Sequence, residues 1–157
     1  MPREWRSHPK LQGRFHPECP DDIQVLVHDG GPRLTNHGAE LVWVTIVRCD
    51  ANVFYGTVLN EPVQLSSASQ GSEIQFLIPD GGEHPLMVTD KYLRERASWI
   101  IHPCRKCGLS ELFDAPSDLI RVVFSNNPPD SVVEIFTVFC GACGGVQVVQ
   151  HKDFQLD

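Results

Sequence analysis

Two Cys-x-x-Cys-Gly segments, Cys104-Arg105-Lys106-Cys107-Gly108 and Cys140-Gly141-Ala142-Cys143-Gly144, constrain this chain more than any other feature. Two intervening residues let the backbone reverse so that both sulfurs of a segment face one ion, and a following glycine takes up positive φ without steric cost. Four thiolates from two such turns complete a tetrahedral site. The expected ligands are Cys104, Cys107, Cys140 and Cys143, holding one zinc per chain. A closed set of four cysteines leaves no position for water or substrate, so the zinc is expected to be structural. The spacer from Leu109 to Phe139 is longer than in compact zinc ribbons and is expected to carry secondary structure of its own.

Other chemistries share parts of this pattern. Disulfides belong to oxidising compartments, and a redox Cys-x-x-Cys usually opens a helix after a strand. A single iron is the alternative cofactor, because softness and geometry do not separate it from zinc at four sulfurs.

At 157 residues, 41% hydrophobic and 21% charged, the chain has enough apolar content for a core and suits one domain or two small ones. Its longest apolar run, Leu41 to Val47, is strand-length and far short of a membrane span. Met1 to His8 has no apolar signal-peptide core, so a cytoplasmic location is expected. Thirteen basic residues against 20 acidic ones give a net charge of −7, which opposes broad attraction to nucleic acid. A local basic patch of Lys91, Arg94, Arg96, Arg105 and Lys106 is read as solvated charge.

Residues 1–21, rich in Pro, His and charge, read as an extended arm, in which Trp5 is a candidate anchor for a partner. From Asp22 the pattern becomes β. Ile23–Val27, Leu41–Val47, Val53–Leu59 and Glu73–Ile78 have strand length and composition, with a hairpin connection at Asp50-Ala51-Asn52. Thr89 is a candidate cap for a short helix from Asp90 to Ala97. Residues 116–124 open like a helix but read equally well as a strand. Val132–Phe139 and Val146–Gln150 read as a hairpin that carries the second knuckle at its turn.

The segments Val42-Trp43-Val44, Gly56-Thr57-Val58-Leu59-Asn60-Glu61-Pro62 and Gly71-Ser72-Glu73-Ile74-Gln75-Phe76 together resemble a family of small bacterial domains of unknown function. The shared pattern is a Trp-Val strand, a Gly-x-Val-x-Asn-x-Pro segment and a turn before a strand, with Ser72 standing where the pattern has an acidic residue. The resemblance covers roughly residues 39–99. It implies a small SH3-like β-barrel and carries no catalytic residues across.

Among the remaining polar residues, His28-Asp29 is a candidate general-base pair, though no nucleophile accompanies it in any recognisable motif. His102 is a candidate partner of a ligand sulfur, while Cys49 reads as a small apolar residue and Cys19 as an exposed thiol. Gly30-Gly31 and Gly81-Gly82 lack the pattern of a phosphate-binding loop and read as turns.

The expected fold class is mainly β with one or two short helices: a small SH3-like barrel or twisted antiparallel sheet packed against a four-cysteine zinc ribbon. Expected domains are the arm 1–21, a barrel 22–99 and a zinc-ribbon-like module 100–157. The expected function is a non-enzymatic platform that binds another protein. Nucleic-acid binding, iron-based electron transfer and an unrecognised enzyme are the alternatives.

Overall fold

Period-two patterning organises the first half of the chain. Ile23, Val25 and Val27 on one strand, and Val42, Val44 and Ile46 on the next, are buried and alternate with more exposed neighbours. The structure is a computed structural model that describes residues 3–81, 83–128 and 132–154. It is mainly β, with antiparallel sheets and, among the described residues, two short α-helices. Among those residues no helix is long and apolar enough to cross a membrane.

The chain divides into two compact units. Met1–Asp29, His37–Pro79 and Glu83–Val88 form the first; Gly30–Asn36, Asp80–Gly82 and Thr89–Asp157 form the second. The expected boundary at 99/100 is therefore displaced to Thr89, because the helix after Thr89 makes its hydrogen bonds to Glu111 and Leu112 and Trp99–Ile101 pairs with a later strand of the second unit. Gly82 of the expected Gly81-Gly82 turn lies outside the described residues.

In the first unit, β1 (Phe15–His16), β2 (Cys19–Val27), β3 (Glu40–Asp50), β4 (Val53–Val58), β5 (Glu73–Leu77) and β6 (Leu86–Met87) form one sheet in chain order. Successive strands run antiparallel. Leu26 on β2 also pairs in parallel with Leu86 on β6, so β2 through β6 close into a ring. Inward residues of all the long strands meet in one core, where Phe54 and Phe76 stack with ring centroids 5.6 Å apart.

The amino-terminal residues are not an extended arm. Glu4–Ser7 and Pro9–Leu11 form 3-10 turns, and Trp5 and Leu11 are buried in the core of the first unit. Asp21 holds this segment: one carboxylate oxygen accepts from Trp5 Nε1 at 2.8 Å and Arg6 Nε at 2.7 Å, and the other pairs with Arg3 and Arg6. These hydrogen bonds, with the Arg6 guanidinium foremost, outweigh burial and hold the Asp21 carboxyl at about 2. Trp5 is thus a core residue and not an exposed partner anchor.

The second unit contains α1 (Asp90–Arg96), β7 (Trp99–Ile101), α2 (Pro116–Val123), β8 (Ile135–Phe139) and β9 (Val146–His151). Its antiparallel sheet has the order β7-β9-β8. Thr89 caps α1, its hydroxyl accepting from the Tyr92 amide at 3.1 Å. Residues 116–123 are helical: Pro116 pre-sets φ at the first position, and Glu95 of α1 supplies the cap that Ala115 lacks by accepting from Ser117 N at 2.8 Å and Ser117 Oγ at 2.6 Å.

Candidate metal centre

The two Cys-x-x-Cys turns have the same backbone chemistry. In the first, Cys104 N donates to Leu109 O at 2.8 Å and Gly108 N to Cys104 O at 2.9 Å; in the second, Cys140 N donates to Gly145 O at 2.6 Å and Gly144 N to Cys140 O at 2.8 Å. Each turn is closed by a glycine in the left-handed region, Gly108 at φ +83° and Gly144 at φ +79°. The first follows β7 and the second joins β8 to β9, so both are anchored to one sheet. Arg105 N also donates to Val146 O at 3.1 Å, tying the first turn to the strand that leaves the second.

This arrangement brings Cys104, Cys107, Cys140 and Cys143 together, with all four sulfurs within 4.8 Å of one another. Cys104 Sγ lies 3.4 Å from Cys143 Sγ, and Cys107 Sγ lies 3.7 Å from Cys140 Sγ. A tetrahedral ion with metal–sulfur bonds of about 2.3 Å sets its ligands about 3.8 Å apart, so the cluster fits a zinc or iron ion. The cysteines are free thiols, not disulfides.

Backbone N–H groups point at the sulfurs. Lys106 N donates to Cys104 Sγ at 3.4 Å and Gly145 N to Cys143 Sγ at 3.3 Å. Burial opposes ionisation of Cys104, but amide donors from Cys107 and Lys106 outweigh it and bring that thiol down to about 6. Burial dominates at Cys140 and pushes its thiol up to about 12. Four thiolates here would need a compensating cation, and binding one is coupled to proton release. Gly145 is fixed by contact: a Cβ there would lie 2.7 Å from Cys104 Sγ and 2.7 Å from Lys106 Cβ.

A buried polar network supports the segment between the two turns. Glu111, 6% exposed, accepts from Tyr92 Oη at 2.5 Å and from Arg96 Nε at 2.9 Å, and Tyr92 Oη in turn accepts from Leu112 N at 2.8 Å. Burial and the adjacent Glu111 carboxylate push the Tyr92 phenol well up, which keeps it a donor. Gln147, 1% exposed, donates to Leu109 O at 2.9 Å and Glu111 O at 3.2 Å. Sequence reasoning missed this network. Tyr92 and Arg96 stand four apart on α1, a usable signal for a shared face, whereas nothing local marks Glu111 or Gln147.

No protein-family model, curated protein or solved structure matches the chain.

The other candidates fall outside the cluster. His102 Nε2 lies 3.2 Å from Gln150 Oε1 and is not among the clustered donors. His28 is 3% exposed and its Nε2 donates to Met87 O at 2.8 Å; burial lowers its pKa to about 4. Asp29 organises a loop, accepting from Ser66 N at 3.0 Å and Ser67 N at 2.8 Å and pairing with His37 Nδ1 at 3.0 Å. Side chains of His28 and Asp29 are thus committed to different structural bonds and do not form the acid–base pair suggested by adjacency. Cys49 packs against the core of the first unit and Cys19 is exposed. Of the basic residues, Lys91 bonds Asp118 at 2.6 Å and Arg96 binds Glu111.

Proposed function

We propose that this chain is a non-enzymatic zinc protein whose four-cysteine centre is structural and whose β-rich framework is a platform for another protein. The observation that carries the proposal is the closed cluster of four sulfurs within 4.8 Å, matched in spacing to a tetrahedral ion. The three-stranded sheet with a cysteine turn at the end of β7 and another between β8 and β9 supports a zinc-ribbon reading of the second unit. Four reduced thiols suit a cytoplasmic setting. The hydrogen-bonded His28 and Asp29 support a role without catalysis.

The metal reading predicts one zinc per chain by elemental analysis and native mass spectrometry, in a colourless protein. Iron at the same sulfurs is the second reading, favoured equally by the N–H donors to sulfur. A visible charge-transfer band with reversible reduction would select it. The platform reading is checked by retention of a protein partner from the native host on metal-replete chain; retention that persists after the second unit is unfolded by chelation would remove the centre from that role.

A further inference from the structure

We propose that β8 is a self-association edge, through which two copies of this chain pair antiparallel about a two-fold axis at Thr137. The proposal deepens the platform reading and rests on it, naming a second copy as one occupant.

The backbone register sets the edge. Cys140 N donates to Gly145 O and His151 N to Glu134 O at opposite ends of the β8–β9 ladder. With the pairing Phe136↔Val149 and Val138↔Gln147, those hydrogen bonds fix which residues turn their backbone toward β9. Phe136 and Val138 face β9; Ile135, Thr137 and Phe139 direct N–H and C=O outward. Among the described residues no backbone hydrogen bond reaches those outward groups. The side chains of the same three residues are exposed, Ile135 at 38% and Phe139 at 51%.

Edge strands are normally blunted by charge, proline, a bulge or a cover. Ile135-Phe136-Thr137-Val138-Phe139 has neither charge nor proline, and its ladder with β9 runs without a register shift. It is also self-complementary. Antiparallel pairing centred on Thr137 sets Ile135 against Phe139 of the second copy at both ends and Thr137 against Thr137 in the middle. Aromatic–β-branched and Thr–Thr pairs are favourable cross-strand combinations. A two-fold operation makes both sets of contacts at once and closes the assembly at a dimer.

Charge permits a second copy at this edge. The chain as a whole carries −7, which sets copies against each other, whereas β8 brings no charge into contact. Arg33 Cζ sits 5.4 Å from the Phe139 ring centroid, and Phe139 meets Ile135 of the second copy, the neighbour of Glu134. Neither Arg33 nor Glu134 makes an ion pair among the described residues. The two-fold therefore brings the Arg33 of each copy to the end of the strand where the other copy places Glu134.

Sedimentation equilibrium on the full, metal-replete chain is expected to give twice the chain mass across the micromolar range. Thr137→Lys and Thr137→Glu each set like charges face to face across the axis and are expected to halve that mass, with zinc content and circular dichroism unchanged. Mixed in equal amounts, the two variants are expected to recover the doubled mass as a one-to-one pair. Thr137→Pro is the second probe: it deletes an outward N–H, leaves the β9-facing bonds of Phe136 and Val138 in place, and is expected to give a zinc-loaded monomer. A monomeric native chain, a Thr137→Lys variant that stays dimeric, or folded Lys and Glu variants that do not associate on mixing would each overturn the proposal. A monomer that still retains a different protein partner overturns β8 pairing and leaves the platform reading standing.

Discussion

Val25, Val44, Phe54 and Phe76 are all 0% exposed at the centre of the first unit, whereas the second unit buries apolar residues such as Leu112, Phe136, Val138 and Val149 together with a four-sulfur cluster and the polar side chains of Glu111 and Gln147. The first arrangement spreads its stabilisation over many contacts, each buried side chain contributing roughly 1.5–3 kcal/mol. On the proposed zinc reading the second adds a concentrated contribution, because a structural zinc contributes on the order of 10 kcal/mol and needs every ligand. A closed ring of strands can lose one side chain and collapse partly around the gap. A four-ligand site has no equivalent relaxation.

Removing a ligand is the strongest way to break that contrast. Cys104→Ser or Cys140→Ser is expected to abolish stoichiometric zinc and to strip amide-exchange protection from Val138, Gln147 and Val149, leaving protection at Val25, Val44 and Phe76. Elemental analysis and residue-resolved exchange check the two halves of this outcome. Loss of protection in both units together would show one cooperative structure in place of two differently held ones.

The reciprocal experiment acts on the apolar core. Phe54 is fully buried and stacked on Phe76. Phe54→Ala is expected to cost about 3–5 kcal/mol in the first unit through lost transfer energy and the cavity left behind. Urea unfolding followed in parallel with zinc content reads the effect, and zinc stoichiometry is expected to hold at one per chain under native conditions.

Sequence patterning conveys these two halves unequally. The cysteine spacing, strand alternation in β2 to β5 and the Thr89 cap are local, because each depends on residues a few positions apart, and local chemistry is what a sequence displays. Asp21 clamping Trp5 and Arg6, the parallel closure of Leu26 on Leu86, and Glu111 meeting Tyr92 and Arg96 join residues far apart in the chain. None of those partners carries a mark of the other. An arm rich in Pro and charge reads as solvated until a carboxylate 15 residues away satisfies its arginine. The helix at 116–123 is ambiguous in sequence for the same reason, since its cap comes from Glu95 on another helix.

Acid acts on the two units with opposite sign. In the first, His28 titrates at about 4 when folded because it is buried, against about 6.5 when unfolded. The unfolded state binds more protons between those values, so the contribution of His28 is lost as pH falls through that window, at up to about 1.4 kcal/mol per pH unit. In the second, burial raises the Asp114 carboxyl to about 6 despite the Gly31 N–H that its Oδ2 accepts at 2.9 Å. Here the folded state binds more protons, and stability falls as pH rises from about 4 to 6. His28→Gln, which retains a donor for Met87 O, is expected to flatten the acid limb of the first unit. Asp114→Asn is expected to stabilise the second by roughly 1–2 kcal/mol at neutral pH and to match the native chain near pH 4. Unit-resolved exchange against pH checks both, and comparison at equal pH cancels the loss of metal that acid causes in native and variant chains alike.

The smallest effects are matched backbone changes of opposite direction. Ala51 and Asn52 form the two-residue connection between Asp50 and Val53, and Ala51 occupies the left-handed region at φ +53°. Tight hairpins favour glycine or asparagine there, and an L side chain in that region costs roughly 1–2 kcal/mol. Glycine relieves this strain but gives the unfolded chain more freedom, so Ala51→Gly is expected to stabilise the first unit by only about 0.5 kcal/mol. Gly144 lies at φ +79° in the second cysteine turn, and a Cβ added there would meet no atom within 4 Å, so Gly144→Ala introduces left-handed strain without a clash. Its expected cost is about 1 kcal/mol, seen as roughly fivefold weaker zinc binding in chelator competition. A Gly144→Ala destabilisation that is the same with and without metal would show that the cysteine turn is preformed by its backbone hydrogen bonds; a change in zinc affinity seen with Gly144→Ala and not with Ala51→Gly ties the conformation of that turn to the metal, which is what a centre that organises its own unit requires.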